Sequence, residues 1–190
     1  MLRLLDLFFS FLGMLFGAPV LLAIYLIGFF NKGSPLYLQE RVGRNRKAFT
    51  LVKFRTMRPD TASVASHLAD ASAITPLGAF LRRSKLDELP QLWNVFKGEM
   101  SLVGPRPCLF NQVELINERA GRAVFDARPG ITGLAQVNKI DMSTPKLLAE
   151  TDAQMLQSLN FNSYFKYIFL TVRGKGAGDS VKQKGQARDS

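Results

Sequence analysis

The sequence predicts an α/β protein, an irregular and mostly helical single domain with short strands behind an apolar N-terminal helix. The chain has 190 residues, the length of one domain with appendages. Residues 7–30 carry almost no charge, and as a helix they would measure about 36 Å, enough to cross a hydrocarbon core. Beyond them, apolar residues recur mostly at helical spacing, and only residues 49–57 and 100–103 have the pattern of strands.

The charge balance predicts an anionic partner. The chain has 25 basic and 15 acidic residues and a net charge of +10. Such a balance suits nucleic acid, an acidic membrane surface or a phosphorylated substrate. The single cysteine, Cys108, excludes an internal disulfide and a cysteine-based metal site, and we expect it to be a packing residue.

The apolar segment has a proline near its centre. Pro19 removes a helical hydrogen bond, so we expect a kink there. The cations that follow the segment, from Lys32 to Arg58, are expected to keep the next domain on the cytoplasmic side. The residues alone allow a spanning anchor with a tolerated kink as well as a bent segment. A cleaved signal peptide does not fit, because the apolar stretch is too long and Arg3 is the only basic residue before it.

Two cations share one face of the strand predicted at residues 49–57. Phe49, Leu51, Lys53 and Arg55 alternate onto the same side, so Lys53 and Arg55 point the same way. The pattern alone would also fit an ordinary solvated edge.

Two adjacent carboxylates, Asp87 and Glu88, stand at the start of a predicted helix. Asp87 is a good N-cap residue, Pro90 suits the first turn, and Gly98 is placed to end the helix. The helix dipole would keep Asp87 ionised. Adjacent residues do not share a helix face, so the two carboxylates are expected to have different roles. The apolar face of this helix would consist of Leu89, Leu92, Trp93 and Phe96.

Cations flank this acidic pair on both sides. A short helix beginning at Thr75 and Pro76 would bring Arg82, with Arg83 and Lys85, beside the acids. After the strand at 100–103, residues 104–107 (GPRP) form a rigid turn that fixes the direction of Arg106. Carboxylates beside several cations suit a phosphate-bearing substrate and a divalent metal ion. Helix caps and solvated cations would give the same pattern.

The remaining segments predict further helices and loops. Residues 60–73 are expected to form a mobile loop or a loose helix over the site. Residues 109–120 predict an amphipathic helix closed by Gly121, and 144–156 another helix. Residues 125–137, which contain Arg128, predict a constrained loop whose backbone N–H groups could meet a phosphate or a base. The aromatic, basic stretch at 161–173 suits either an interfacial helix or a core helix. The tail from 174 to 190 is expected to be disordered.

Four ordered sequence blocks carry a family resemblance. The stretch KLDELPQLWNVFKGEMSLVGPRP (85–107) resembles the signature of the bacterial sugar transferase family, the monotopic phosphoglycosyl transferases. RVG (41–43), KFRTM (53–57) and RPGITGLAQV (128–137) match further blocks in the same order. The resemblance runs from the apolar segment to about Asn138 and is weaker beyond.

This resemblance implies an enzyme that moves a sugar 1-phosphate from a UDP-sugar to polyprenyl (undecaprenyl) phosphate. UMP is released, and the product initiates bacterial glycoconjugate assembly. By the same resemblance, the reaction uses Mg²⁺ and an aspartate nucleophile that forms a covalent phosphosugar intermediate. Asp87 would be that nucleophile and a metal ligand, and Glu88 would assist it. The phosphate-binding set would be Lys53, Arg55, Arg82, Arg106 and Arg128.

The resemblance also implies how the chain sits on the bacterial inner (plasma) membrane. Residues 1–31 would enter the membrane lipid as a re-entrant helix bent at Pro19. Residues 32–173 would be the catalytic domain on the cytoplasmic face, and 174–190 the basic tail. Two departures limit the transfer: Ala18 stands where family members often have serine, and Lys139 and Ile140 stand where many have Gly-Arg.

Two other functions remain compatible with the residues. A membrane-tethered basic binding module would explain the net charge and the anchor, but not the acidic pair. No nucleic-acid motif is present in the sequence, so nucleic acid is not an expected partner. A membrane-anchored phosphohydrolase would use the same acids and cations with water as the acceptor. The sequence identifies neither the sugar nor the oligomeric state.

Overall fold

The computed structural model describes residues 2–30, 34–59, 61 and 71–174. These form seven α-helices and four short strands, joined by short 3₁₀ turns. The helices are α1 (Leu2–Phe30), α2 (Pro76–Ser84), α3 (Gln91–Lys97), α4 (Val113–Ala120), α5 (Leu134–Val137), α6 (Pro145–Ser158) and α7 (Phe161–Val172). The strands are β1 (Leu36–Val42), β2 (Ala48–Phe54), β3 (Ser101–Val103) and β4 (Gly130–Thr132). The prediction of a mostly helical domain with short strands and a long apolar N-terminal helix is confirmed.

Two small sheets hold the domain together. β1 and β2 are antiparallel, with Leu36 opposite Phe54 and Val42 opposite Ala48. β3 and β4 are parallel. The strand predicted at 49–57 is confirmed as β2, although it ends at Phe54. The strand predicted at 100–103 is confirmed as β3.

The expectation of a loop with available N–H groups at 125–137 is wrong for its centre. Residues 130–132 form β4, and the N–H of Gly130 is bonded to the Pro105 carbonyl at 2.8 Å. A side chain at position 130 would bring Cβ within 2.0 Å of the Gly104 nitrogen. The two glycines therefore allow two backbones to approach closely, which the sequence pattern alone did not reveal.

Several predicted boundaries are confirmed by their capping geometry. The Thr75 hydroxyl accepts a hydrogen bond from the Gly78 N–H at 3.0 Å and starts α2, and Gly98 ends α3 with a φ of 91°. α6 begins at Pro145.

Cys108 is fully buried, as expected for a packing residue. The predicted loop at 60–73 and the tail at 174–190 lie almost entirely outside the described residues.

The predicted apolar face of α3 is only partly a core face. Leu92 is buried, but Trp93 and Phe96 are 50% and 39% exposed. Their rings stack on each other with centroids 6.2 Å apart, and the Phe96 ring lies 6.4 Å from that of Phe11 in α1. α3 packs between β2 and α1, and Phe96 on its aromatic side meets α1 instead of the domain core.

Both alternatives for the aromatic stretch at 161–173 describe part of α7. Tyr164 and Tyr167 are buried in the domain, as expected for a core helix. Phe161, Phe169 and Val172 are exposed. α7 therefore has one core side and one apolar outer side.

α1 is long and apolar enough to cross a membrane, and it continues through Pro19 as a single helix. Its buried residues are Asp6, Ser10 and Ile24, whereas most of its large apolar side chains are exposed. Toward its end, Ile24 packs with Phe54 and Leu81. In its middle, a Cβ at Gly13 would lie 2.9 Å from Leu92. The helix thus touches the domain along its length.

The start of α1 is joined to the domain through a buried carboxylate. Asp6 is 3% exposed. Its Oδ1 accepts hydrogen bonds from the Ser101 hydroxyl at 3.0 Å, the Leu102 N–H at 2.9 Å and the Tyr164 hydroxyl at 2.9 Å. These donors belong to β3 and α7, so one side chain connects three elements.

Arg3 completes this attachment one turn earlier. Its guanidinium donates to the carbonyls of Val95 at 2.7 Å and Met100 at 3.2 Å, and it lies 3.7 Å from Asp6. A cation beside the last carbonyls of α3 is stabilised by the dipole of that helix. The first turns of α1 are therefore part of the folded domain.

We expect Asp6→Leu to destabilise the fold strongly. The substitution leaves three buried donors without their acceptor, and each such group costs about 1–3 kcal/mol. Ser10→Ala is the matched control, because its hydroxyl bonds only to the Leu7 carbonyl within α1. Denaturant unfolding of the detergent-solubilised protein measures both. Equal stability of the two variants would contradict a joining role for Asp6.

Candidate active site

The acidic pair lies in a separate 3₁₀ turn, Leu86–Glu88, ahead of α3. The expectation that Asp87 caps α3 is therefore wrong. Pro90 occupies the N-cap position of α3, and Lys85 ends α2 in a left-handed conformation with φ of 58°. Between these two fixed points the chain makes bonds of the i to i+3 type, such as Glu88 N–H to the Lys85 carbonyl at 3.3 Å.

Both carboxylates are buried, and Glu88 is paired with a cation. Asp87 is 2% exposed and Glu88 is 8% exposed. Glu88 Oε1 accepts a hydrogen bond from Arg106 Nη2 at 2.8 Å. The 104–107 turn that carries Arg106 therefore delivers this guanidinium directly to the acidic turn. A buried, paired carboxylate of this kind differs from an exposed helix cap.

A narrow crevice beside this ion pair brings further predicted residues together. It is lined by Lys53 and Arg106, together with Arg41, Leu51, Gln91, Pro107 and Gly130. Lys53 is 7% exposed, and its ammonium lies 5.5 Å from the centre of the Tyr37 ring. The acidic turn packs against β2, the strand that carries Lys53. Lys53 and Arg106 therefore line one crevice next to the acidic turn.

A larger cavity of about 650 Å³ adjoins Glu88. Its charged lining consists of Arg82, Arg83, Lys85 and Glu88. Its apolar lining comes from the acidic turn and the residue after it, from α3, from the β3–β4 sheet and from α7, namely Leu86, Leu89, Leu92, Leu102, Ile131, Ile168 and Val172. Arg82 is oriented by a hydrogen bond from its Nε to the Thr56 hydroxyl at 2.8 Å. Cations and a long apolar surface thus line one space.

Lys85 stands in the most crowded part of this charge cluster. Burial lowers its pKa below the ordinary value of 10.5, and the nearby Arg106 lowers it further, while Glu88 acts in the opposite direction. Its ammonium donates to the Thr171 carbonyl at 3.3 Å. An added phosphate would relieve the repulsion between the two cations.

Two residues of the predicted phosphate-binding set line neither the crevice nor the cavity. Arg55 donates to the Ser34 carbonyl at 2.9 Å. Its guanidinium lies 5.5 Å from the same Tyr37 ring as the Lys53 ammonium, so the two cations share one side, as predicted. Arg128 donates to the Gly98 carbonyl at 2.8 Å. Burial lowers the pKa of Arg128, and the charge of Arg3 lowers it further. The site therefore brings together Lys53, Arg82 and Arg106 but not Arg55 or Arg128, whose phosphate-binding roles stay predictions.

The donor set beside the acids fits Mg²⁺ only with help from a substrate. Among the described residues, no group of three or more His, Cys, Asp or Glu side chains is placed to hold a metal ion. Asp87 and Glu88 provide two adjacent carboxylates. Mg²⁺ is commonly held by one or two carboxylates together with substrate phosphates and waters. The residues therefore suit an ion that arrives with a phosphorylated substrate.

Sequence reasoning missed the buried polar residues that support the site. Arg119 and Asp152 form an ion pair behind the 104–107 turn, and neither stood in a recognisable motif. Asp6 directly precedes the apolar segment at residues 7–30 and was not predicted to have a role. The sequence nevertheless indicated one, because a lone acid within a long apolar helix is costly unless it has buried partners.

Comparison with known proteins identifies a family. The family model described as "Bacterial sugar transferase" matches residues 1–175. An uncharacterized sugar transferase of Haemophilus influenzae is 41% identical over 162 residues, which are 75% of this chain and 34% of that protein. EpsL of Bacillus subtilis, also an uncharacterized sugar transferase, is 38% identical over 152 residues, 80% of this chain and 75% of EpsL.

A third relative has a more specific name. The UDP-galactose-lipid carrier transferase of Erwinia amylovora is 39% identical over 139 residues, which are 63% of this chain and 28% of that protein. The chain therefore spans about a third of the Haemophilus and Erwinia proteins and most of EpsL.

Proposed function

The chain belongs to the bacterial sugar transferase family, and from this premise we propose that it transfers a sugar 1-phosphate from a UDP-sugar to undecaprenyl phosphate, with release of UMP. It is a transferase, and the donor, the acceptor and the chemical path are the proposal. The observation that carries the proposal is the buried Asp87–Glu88 pair beside Lys53 and Arg106. The Erwinia relative, whose name includes both a UDP-sugar and a lipid carrier, supports the substrate classes.

The first step would transfer the phosphosugar to the enzyme. An oxygen of the Asp87 carboxylate attacks the phosphorus that carries the sugar. The bond from this phosphorus to the bridging oxygen breaks, and UMP leaves with that oxygen and its electron pair. Lys53 and Arg106 would neutralise the charge that develops on the phosphate oxygens. Glu88, which is paired with Arg106, would keep that guanidinium beside the reacting group.

Mg²⁺ would be held by Asp87, with Glu88 beside it and the donor phosphates completing its ligands. When bound, it would supply positive charge to the phosphate oxygens. The remaining work belongs to the chain itself, which excludes water from the buried acids and holds the cations in place.

The second step would return the nucleophile. An oxygen of the lipid phosphate attacks the same phosphorus, the bond to Asp87 breaks, and the carboxylate is restored. The cavity beside Glu88 suits this acceptor, because Arg82 and Lys85 stand next to a mainly apolar lining. A phosphate on an isoprenoid chain presents the same combination of charge and apolar surface. Two successive steps allow a water-soluble donor and a lipid acceptor to use one site in turn.

The membrane arrangement that we propose is re-entrant, with the catalytic domain on the cytoplasmic face. Contacts at both ends of α1 support it. Asp6 near the start is bonded to β3 and α7, and Gly28 near the end lies against Pro35, where an added Cβ would come within 3.1 Å. A helix whose two ends touch one domain is difficult to reconcile with a segment that carries its N-terminus across the bilayer.

We expect Asp87→Asn to abolish turnover and the covalent adduct together, because an amide oxygen is not a competent nucleophile. Asp87→Glu should also fail, since one added methylene moves the attacking oxygen by about 1 Å. UMP release from a panel of UDP-sugars, with and without undecaprenyl phosphate, measures the rate. Intact-protein mass measures the adduct.

The control is Asp126→Asn, because Asp126 is an exposed aspartate in another 3₁₀ turn, Val124–Asp126. This variant should retain full activity. UMP release that continued at the same rate without the lipid would favour a phosphohydrolase, and an adduct mapped to Glu88 would overturn the assignment of the nucleophile.

Lys85→Arg should extend activity to higher pH. The charge of Lys85 is present below its lowered pKa and lost as the pH rises through that value, so its help in phosphate binding fades on the alkaline side. Arginine stays charged throughout this range. The pH profile of kcat/KM tests this, with Lys97→Arg as a control in the exposed Lys97–Glu99 pair. If the fall of kcat/KM on the alkaline side occurs at the same pH in Lys85→Arg as in the unaltered protein, the charge of Lys85 does not contribute to phosphate binding.

The N-terminus should lie on the same side of the membrane as the catalytic domain. A bend of α1 at Pro19, which the re-entrant proposal requires, would leave each half of the apolar segment about 18 Å long, too short for a core of about 30 Å. A cysteine at Leu2 in a Cys108→Ser background, labelled by an impermeant reagent from each side, tests this. A cysteine at the exposed Glu114 of α4 marks the side of the domain.

Pro19→Leu should shift part of the population toward a spanning form, which labels at position 2 from the opposite side. If the protein with Pro19 intact already labels at Leu2 from the side opposite to Glu114, the segment spans the membrane and the re-entrant proposal fails.

A further inference from the structure

The 104–107 turn depends on its carbonyl groups for its position. Pro105 and Pro107 flank Arg106 and have no N–H to donate. The Gly104 N–H donates to the Thr132 carbonyl at 2.8 Å, and the residues after it depend largely on the hydrogen bonds that their oxygens accept. The central carbonyl, that of Arg106, accepts from Arg119 Nη1 at 2.8 Å. Arg119 belongs to α4, outside the sequence block that contains the turn.

Neighbouring carbonyls of the turn are held in the same way. The Pro107 carbonyl accepts from Arg41 Nη1 at 3.0 Å. Arg41 is itself buried and donates from Nε and Nη2 to Gln39 Oε1, at 3.1 and 2.5 Å. Two buried guanidiniums from different elements therefore fix the backbone that follows the Arg106 side chain. The Gly130 N–H holds the Pro105 carbonyl before it, at 2.8 Å.

Arg119 is oriented by a fully buried partner. It is 2% exposed, and Asp152 of α6 is 0% exposed. Arg119 Nε and Nη2 both donate to Asp152 Oδ2, at 3.0 and 2.6 Å. Because the guanidinium is planar and rigid, fixing two of its nitrogens also fixes the direction of the third, Nη1, which meets the turn.

Stability alone is a weak explanation for this pair. A buried ion pair pays a large desolvation penalty, and apolar side chains of similar volume often stabilise a fold as well or better. An apolar pair could not supply the hydrogen bond that Nη1 donates to the Arg106 carbonyl. The geometry therefore favours a role in orienting the turn over a role in stabilising the fold.

We propose that Arg119 and Asp152 are positioning residues that aim the Arg106 guanidinium at Glu88. This inference rests on the proposed function, because only that function gives Arg106 a catalytic role. The chain of contacts itself is independent of the proposed function. The connection runs from Asp152 to Arg119, to the Arg106 carbonyl, and through the Arg106 side chain to Glu88 at 2.8 Å.

A kinetic double-variant cycle tests this link. The pair is replaced by apolar side chains in Arg119→Met/Asp152→Leu, which leaves neither charge buried alone. We expect kcat for UMP release to fall on the order of tenfold to a hundredfold, since a small misplacement of a catalytic group has this effect. Added to Arg106→Ala, the same replacement should cause no further loss. Independent losses that multiply would overturn the proposal.

The matched control lies next to the same two helices. Arg122, which follows the end of α4, pairs with Glu150 of α6 at 3.2 Å and also with Glu118 of α4, on the surface. Arg122→Met/Glu150→Gln therefore removes a surface ion pair away from the turn. It should leave kcat unchanged. If the protein with the apolar pair does not fold, Arg119→Lys is the second variant. Its kcat should also fall, because a lysine ammonium cannot bond to Asp152 and to the Arg106 carbonyl at once as the forked guanidinium does.

The single cysteine provides a readout that needs no enzymatic activity. Cys108 follows the turn directly and is fully buried. Burial raises the pKa of its thiol, and the charge of Arg119 offsets part of that rise, so loss of Arg119 would by itself slow the reaction with a thiol reagent. We expect instead roughly tenfold faster labelling in Arg119→Met/Asp152→Leu under native conditions, because the turn is released, and no change in the Arg122 variant.

Each outcome separates the two proposals. If the unaltered chain releases no UMP from any UDP-sugar, the proposed function fails, and Cys108 labelling alone decides whether the pair holds the turn. If the chain is active, but labelling is unchanged and the kinetic losses multiply, the proposed function stands and the positioning role is wrong.

Discussion

The carboxylate of Asp6 accepts hydrogen bonds from Ser101, Leu102 and Tyr164, and through them it ties the membrane helix to the strand that leads into the active site. Burial and the charge of Asp6 both raise the pKa of Tyr164, so its hydroxyl remains a donor at physiological pH. β3 continues directly into the 104–107 turn that carries Arg106. The membrane helix and the candidate site therefore share one rigid framework, which suits chemistry between a lipid and a soluble substrate.

The electrostatics of the site follow from crowding. Glu88 is buried against Arg106, and Lys85 lies close enough for its pKa to be lowered by burial and by Arg106. Removing charges from water is costly unless each has a partner. A phosphorylated substrate would provide anionic partners for these cations. The presence of several cations is consistent with the diphosphate donor that we propose. The proximity of an apolar cavity to the same cations extends this complementarity to a lipid phosphate.

Local signals predicted the helix boundaries well, because caps such as Thr75 and Gly98 act within a few residues. The same signals failed at Asp87, since Pro90 occupies the N-cap position of α3 and leaves the acids in a separate turn. Arg128 could not be placed from sequence, because its direction depends on the distant Gly98 carbonyl. β4 was missed for a similar reason, as it exists only through close backbone contact between Gly104 and Gly130.

The central claim is that a carboxylate takes the phosphosugar before the lipid acceptor does, and isotope exchange tests it most directly. A UDP-sugar that supports turnover with undecaprenyl phosphate is incubated with the protein, Mg²⁺ and labelled UMP, without any lipid acceptor. A covalent intermediate predicts that label enters the UDP-sugar, because the first step is reversible on its own. Exchange that occurs only when the lipid phosphate is present would contradict the two-step account.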